Sequence, residues 1–230
     1  MCGRYSLHTP SSDVASHFEV GIDAEMPARY NIAPSQRIGA VLVRDGERRW
    51  GALNWGLLPA DSPDSKTARR FINARAETVF QKNTFKEAAK NRPCLVPANG
   101  FYEWVNIGGL RRPRYFSLAD GGLFAFAGIW EEWQGASGVG ERTCTILTTK
   151  PNAIVEPIHD RMPVILSKSS YSDWLNVKLP PQGRLELLRP FPDDLLAVRA
   201  VSTLVNSPRN ETSRCIEPVV EEHQADLFEL

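Results

Sequence analysis

Residues 94–105 read Cys-Leu-Val-Pro-Ala-Asn-Gly-Phe-Tyr-Glu-Trp-Val, residues 113–118 read Pro-Arg-Tyr-Phe-Ser-Leu, and residues 123–130 read Leu-Phe-Ala-Phe-Ala-Gly-Ile-Trp. The runs are short, rich in aromatic and aliphatic side chains, and punctuated by Gly, Pro or Asn. They predict successive strands at Cys94–Val96, Gly100–Val105, Pro113–Leu118 and Leu123–Trp130, joined by glycine turns. Further along the chain, Arg142–Thr149 adds a strand with β-branched residues and Leu195–Val201 a late one. Toward the N-terminus, Ile38–Val43 and Trp50–Trp55 flank the turn Asp45-Gly46, and Gly3–His8 reads as a first strand. Helices are fewer and short. One runs from Ser11 or Ser12, as cap, through Phe18. Ala76–Lys90 holds one or two, ending before Pro93, and Ser169–Val177 and Pro181–Leu188 complete the set. Ala60–Lys66 is a polar loop. Strands dominate the middle and helices decorate it. The expected class is α+β, with a mainly antiparallel sheet or barrel-like core and peripheral helices. No linker-like stretch and no repeat interrupts the chain, so a single domain over 1–220 is expected, followed by an acidic tail at 221–230.

The chain has 230 residues, which suits one large domain with a substantial core. Its 27 Lys+Arg balance 27 Asp+Glu. A neutral total argues at first against nucleic-acid binding, whose footprint is usually basic. The total hides a separation. Residues 1–120 hold 17 bases and 12 acids, a net of +5, and residues 121–230 hold 10 and 15, a net of −5. Within 66–92 there are eight bases and two acids. That run is either a solvated helix face or a DNA-facing edge, and its inclusion of Asn73 and Arg75 favours the edge. Residues 211–230 hold six acids and one base, and are expected to face away from DNA or to fray. No apolar run approaches the ~20 residues of a membrane span. The N-terminus has no apolar signal region. Cys2, Cys94, Cys144 and Cys215 form no CxxC pair, so a reducing, cytoplasmic setting is expected. His8, His17, His159 and His223 lie too far apart for metal-ligand spacing, and neither a metal nor an organic cofactor is expected.

The most informative residue is Cys2. A small residue after the initiator Met permits removal of that Met, leaving a free α-amine and a thiol on adjacent carbons. The α-amine has a reference pKa of roughly 7.7–8.0, so a useful fraction is neutral near pH 7. The thiol is a second nucleophile, stronger as thiolate. Such a 1,2-aminothiol condenses with an aldehyde to an imine, and the sulfur then closes a thiazolidine ring. Two enzyme classes use this terminus. N-terminal-nucleophile amidotransferases also begin Met-Cys-Gly, with the thiol attacking glutamine. They need further Arg-Gly and Asn-Gly-Glu type segments, of which this chain offers only Ala98-Asn-Gly-Phe101. The other class captures aldehydes.

Three more strings carry candidate chemistry. Phe71-Ile-Asn-Ala-Arg-Ala-Glu-Thr78 puts Asn73, Arg75 and Glu77 at alternate positions, on one face if the segment is extended. Glu103 sits between Tyr102 and Trp104. Aromatic flanks desolvate a carboxyl and suit it to acid–base work, although an outer strand face is the plainer reading. In Ile158-His-Asp-Arg-Met-Pro-Val164, His159 is the one histidine inside a motif-like string. It is either a proton-transfer group or a satisfied core histidine.

Met1-Cys-Gly-Arg4, Tyr30-Asn-Ile-Ala-Pro34, Trp55-Gly-Leu-Leu-Pro59, Asn73-Ala-Arg-Ala-Glu77, Pro97–Trp104 and His159-Asp-Arg-Met-Pro163 together resemble the SOS-response-associated peptidase family, from Met1 to about Val220. The resemblance implies action at abasic sites in single-stranded DNA, by covalent capture of the abasic aldehyde at Cys2. It implies roles as well: Cys2 as nucleophile, and Asn73 holding the N-terminus or the opened sugar. Glu103 would shuttle protons, and His159 would favour the ring-opened sugar. Arg4, Arg75 and Arg161 would contact phosphates, which position DNA without reading bases. Pro34 and Trp104 would wedge or stack beside the lesion, with Thr148 a further contact. β-Elimination at the captured sugar and peptidase-like loss of Met1 are implied as side activities. The expected partner is abasic single-stranded DNA, with no membrane, a monomeric protein, and a cytoplasmic, nucleoid-associated setting. The remaining alternatives are glutamine amidotransfer and noncovalent single-stranded DNA binding. One departure stands out: Ala60-Asp-Ser-Pro-Asp64 replaces loop tryptophans common in the family, which puts base stacking there in doubt.

Overall fold

A strand buried on one face still presents two polar edges, and those edges must be paired or closed. This chain closes most of them. The computed structural model describes residues 2–21, 25–44, 46–63, 70–134 and 140–220. In chain order the elements are β1 (Tyr5–Leu7), α1 (Ser11–Phe18), β2 (Arg29–Ile32), β3 (Arg37–Arg44), β4 (Glu47–Trp55), β5 (Asn73–Arg75), α2 (Asn83–Asn91), β6 (Pro93–Ala98) and β7 (Gly100–Ile107). There follow β8 (Leu110–Leu118), β9 (Phe124–Gln134), β10 (Gly140–Thr149), β11 (Met162–Pro163), β12 (Ile165–Leu166), α3 (Tyr171–Leu175), α4 (Pro181–Leu185) and β13 (Leu196–Ala200).

β4, β3, β6, β9 and β10 pair in that order, and β10 returns to pair β4, so five strands close a barrel. The barrel pairs are antiparallel except β10 with β4. β5 also runs parallel to β10, beyond the end of β4. A second sheet has the order β13-β8-β7-β1-β2 and is wholly antiparallel. The fold is therefore a single α+β domain of mainly antiparallel strands, as expected from the sequence.

The core fills the barrel and the seam between the two sheets. Every residue of β6 is buried, because β3 and β9 flank it on both edges. Tyr5 of β1 is fully buried, with its ring edge-on to Trp55 at 5.4 Å and to Phe126 at 5.8 Å. These contacts dock the N-terminal strand onto the barrel wall. Gly100 opens β7 where a Cβ would meet the Tyr115 ring at 2.3 Å, so only glycine lets β7 lie this close to β8. The helices cover the outside. α2 buries Phe85, Ala88 and Ala89. Its final carbonyls are satisfied by a buried cation, since Arg184 (1% exposed) donates to Ala89 O at 2.7 Å and Lys90 O at 2.9 Å.

Several expectations change in detail. Residues 100–105 and 113–118 extend toward each other into one hairpin that turns at Gly108-Gly109. Residues 76–90 divide into a 3-10 turn at Ala76–Thr78 and α2. The extended segment at Asn73 stops at Arg75, so Glu77 leaves the strand face it was expected to share. Glu211 belongs to the docked body, since its carboxylate accepts from the Tyr30 and Asn31 amides and from Arg29. Residues 64–66 of the loop 60–66, Asp45 of the predicted turn, and the acidic segment 221–230 lie outside the described residues. Among the described residues no helix is long and apolar enough to cross a membrane.

Candidate active site at the N-terminus

β1 lies between β2 and β7, and this pairing draws the segment before it into the seam between barrel and sheet. Tyr102 N donates to Arg4 O at 3.0 Å, which continues the β1–β7 ladder toward Cys2. Cys2 is 0% exposed. Its carbonyl accepts from Asn73 Nδ2 at 2.9 Å. β5 supplies that amide, and parallel pairing with β10 holds β5 in place. Among the described residues nothing donates to Asn73 Oδ1, which is buried. An open amide oxygen at this position can accept from a further donor.

Gly3, Arg4, Glu103, Trp104, Arg111, His159 and Asn206 line a cleft of about 380 Å³. Glu103 is 4% exposed. Burial raises its carboxyl above the ordinary carboxylate range, against an opposing pull from His159 and Arg111. Burial also raises the Cys2 thiol, and the Glu103 charge adds to that rise. The thiol is thus held protonated and needs a base, and the Glu103 carboxyl is close enough for its charge to act on it.

His159 Nδ1 accepts from Arg161 N at 3.0 Å, which leaves the proton of a neutral ring on Nε2. Asp160 Oδ1 lies 2.9 Å from the same Nδ1. Nδ1 thus faces both a backbone donor and a carboxylate oxygen. The arginines make the cleft electropositive. Arg4 and Arg111 lie over the Trp104 ring, 5.7 and 5.1 Å from its centroid. Trp104 Nε1 donates to Asn206 Oδ1 at 2.7 Å, and Asn206 Nδ2 donates to Arg111 O at 3.3 Å. Arg4 Nη1 is fixed by Asn31 Oδ1 at 2.6 Å and Val205 O at 2.9 Å.

The structure gathers Cys2, Arg4, Asn73, Glu103, Trp104 and His159 around this cleft and its floor. The other candidates stand differently. Arg75 is exposed at the end of β5, one residue from Ala74 and the Asn73 anchor. Pro34 is half-buried in a turn whose Ser35 amide donates to Trp55 O at 2.7 Å, and it does not line the cleft. Arg161 is already engaged. Its two terminal nitrogens grip the Glu77 carboxylate at 2.6 and 2.9 Å, and Nη2 also reaches Thr148 O. Thr148 is 1% exposed, so in this conformation it supports Arg161 and offers no surface contact. Within the basic stretch, Arg70 pairs with Glu141 and Arg92 with Glu131, while Lys66 and Arg69 lie outside the described residues. Arg111 and Asn206 were not singled out from the sequence. The signal for Arg111 lies in the three arginines among residues 111–114, on the strand that returns past Trp104 after a glycine turn.

Two further observations bear on chemistry. Asn99, the asparagine of the possible Asn-Gly oxyanion segment, is wholly engaged in structure. Its Oδ1 accepts from His8 N and Thr9 N, and its Nδ2 donates to Thr9 Oγ1. That leaves the Met-Cys-Gly start as the feature shared with amidotransfer. Among the described residues, no cluster of three or more His, Cys, Asp or Glu side chains could hold a metal ion.

The Arg161–Glu77 fork makes a stability prediction. Arg161 hydrogen bonding holds the Glu77 carboxyl below its ordinary value. A lowered carboxyl contributes stability above the unfolded pKa of about 4.3, lost as pH falls through the folded value. Glu77→Gln is expected to cost about 1 kcal/mol at pH 7, given that Glu77 is partly exposed. The difference should shrink as pH falls below the unfolded value of about 4.3 and vanish once the folded carboxyl is itself protonated, as read by urea denaturation midpoints at pH 7 and at the acid end of that range. An equal cost at both would mean that the fork is not electrostatic in origin.

Residues 1–208 match the family described as SOS response associated peptidase (SRAP). The chain is 40% identical over 222 residues to the abasic site processing protein YoqW of Bacillus subtilis (strain 168), an alignment covering 94% of this chain and 99% of YoqW. It is 32% identical over 226 residues to the abasic site processing protein HMCES of Gallus gallus, covering 83% of this chain and 66% of that protein. Among solved structures, a protein from Bacteroides thetaiotaomicron superposes with a TM-score of 0.86 at 25% identity, covering 95% of this chain and 100% of the other. One from Bordetella bronchiseptica gives 0.76 at 30% identity, covering 87% and 100%. The N-terminal cysteine cleft thus sits in a chain that belongs to the SOS-response-associated peptidase family.

Proposed function

We propose that this protein processes abasic sites in single-stranded DNA by forming a covalent thiazolidine crosslink through Cys2, after loss of Met1. The observation that carries the reading is the meeting of Cys2 with Asn73 and Glu103 beside His159, in a cleft lined by Arg4 and Arg111. The names of the relatives YoqW and HMCES support the substrate class.

The steps follow from the groups present. His159 moves a proton at the sugar hydroxyl and draws the closed hemiacetal toward its open aldehyde. The Cys2 α-amine adds to the aldehyde carbon to give a carbinolamine. Protonated Glu103 donates to the departing hydroxyl, water leaves, and an iminium remains. The Glu103 carboxylate then takes the thiol proton, and sulfur adds to the iminium carbon to close the ring. One water is lost, and one C–N and one C–S bond form. Asn73 holds the Cys2 carbonyl, and its open Oδ1 accepts from the amine or the sugar hydroxyl. Arg4 and Arg111 hold phosphates flanking the lesion, and Trp104 offers its ring to a base. An iminium also acidifies the adjacent sugar carbon, so β-elimination competes as a lyase side reaction. Capture occurs on a monomer in the cytoplasm, at the nucleoid.

A single-stranded oligonucleotide with one abasic site, incubated with the protein and run on a denaturing gel, tests the reading. A heat-stable shifted band is expected. Its absence, with protein whose mass shows Met1 removed, would sink it.

A further inference from the structure

The β7–β8 hairpin continues past the cleft into solvent, and its register orders what lies along it. Phe101 faces Phe116, with rings stacked at 4.8 Å in the core. Outward from that pair, Glu103 lies opposite Arg114, Val105 opposite Arg112, and Ile107 opposite Leu110. Alternate residues of a strand share a face, and so do directly opposite partners. The face that carries Glu103 thus runs outward as a carboxyl and an arginine, then a valine and an arginine, then two aliphatic side chains. The other face carries Trp104 opposite Pro113 and Asn106 opposite Arg111.

Three features mark this arm as a binding surface. Ile107 and Leu110 are 48% and 58% exposed at its tip. Arg111 and Arg112 are exposed beside them, and residues 105–114 hold three arginines and no acid. Gly108 and Gly109, with φ of 59° and 81°, form the two-residue turn that best matches the strand twist, so the tip is well defined. The arm is also continuous with the cleft, because Glu103, on the same face as Arg112, Ile107 and Leu110, lines it.

The geometry points to the β7–β8 hairpin as an arm that holds the single-stranded DNA on one side of the lesion, with Arg112 on its phosphates and Ile107 and Leu110 against its bases. This rests on the abasic-site reading above. Charge complementarity with a polyanion and continuity with the cleft select the occupant, since an apolar tip alone would not. Four residues separate Glu103 from Ile107, about 13 Å at the rise of a strand. At ~3.4 Å per stacked nucleotide, the arm spans about four nucleotides.

The test uses single-stranded oligonucleotides with one abasic site. The site has a long flank on one side and zero to about eight nucleotides on the other, in both polarities. Wild-type capture is expected to fall about fivefold or more once fewer than about four nucleotides remain on one side, and to be indifferent on the other. The variant Ile107→Ser/Leu110→Ser/Arg112→Ala should capture every length at the short-flank rate. A variant that tracks the wild type at all lengths overturns the proposal, as does one that loses short-flank capture too, which would make the hairpin a mere prop for the cleft. Equilibrium binding to undamaged single strands is read separately. The slope of log K against log salt should fall by about 0.7 with Arg112→Ala alone. An unchanged slope overturns the arm even where capture proceeds. If no oligonucleotide is crosslinked yet the slope falls, the arm stands and the covalent reading fails.

Discussion

Cys2→Ala is expected to abolish covalent attachment to abasic DNA, and Cys2→Ser to stop at the imine. Alanine keeps the α-amine but has no group to close a ring, so its adduct stays hydrolysable and is lost on heating. Serine also keeps the amine, yet its hydroxyl is a far weaker nucleophile than a thiol delivered to a carboxylate base. Borohydride should therefore trap a band for Cys2→Ser that is missing without the reductant. Protein whose intact mass retains Met1 should be inert in both assays, because the Cys2 nitrogen is then a peptide nitrogen. If Cys2→Ser traps nothing although its terminus is free, the amine-first order is wrong. The thiol's own environment sharpens the point. Burial and the nearby Glu103 charge hold it above its ordinary range, so a free thiolate is scarce. On the proposed route sulfur attack then waits for a base, and the imine is expected to form first.

Glu103→Gln should lower the capture rate by about 10²–10⁴, the usual worth of a positioned acid–base group, while DNA affinity hardly changes. The substitution preserves shape and removes only the titrating proton. Single-turnover capture at saturating DNA measures the rate, and fluorescence anisotropy on undamaged DNA measures affinity. The pH profile carries a sign. Burial raises the Glu103 carboxyl, so its acid form survives to higher pH than that of a free glutamate near 4.3. Donation to the departing hydroxyl should thus weaken as pH rises through that raised value, and Glu103→Gln should lack this limb. A loss of affinity without a loss of rate would assign Glu103 to binding.

Local patterns made the strands legible but left their partners hidden. The runs at 94–105, 113–118 and 123–130 announce themselves by composition and turn residues. Closure of the barrel does not, because β10 must pair antiparallel with β9 and parallel with both β4 and β5. No local signal encodes a parallel register across such a separation, and β5, β11 and β12 are two or three residues long. The site shows the same division. Residue type and neighbours nominate Cys2, Asn73, Glu103 and His159 as candidates, and the family resemblance gives them their expected roles. Neither tells a free arginine from an engaged one, which is why Arg161, gripped by Glu77, and Thr148, buried behind it, read in sequence like surface contacts. Arg111 was hidden by the opposite fault. It becomes a cleft residue only when the hairpin register sets it beside Trp104.

The seat of Arg4 has a consequence for biosynthesis. Its guanidinium is held by the carbonyl of Val205, 201 residues later in the chain. Asn206 likewise orients Trp104, and Asn31 is locked by the carbonyls of Val205, Ser207 and Asn210. At 5–20 residues per second, a ribosome needs roughly 10–40 s to bridge that interval. The amino end therefore leaves the tunnel long before the residues that shape its cleft exist. The segment that carries Cys2 is made first and gains its finished surroundings last, so the cleft cannot be completed before almost the whole chain has been synthesised.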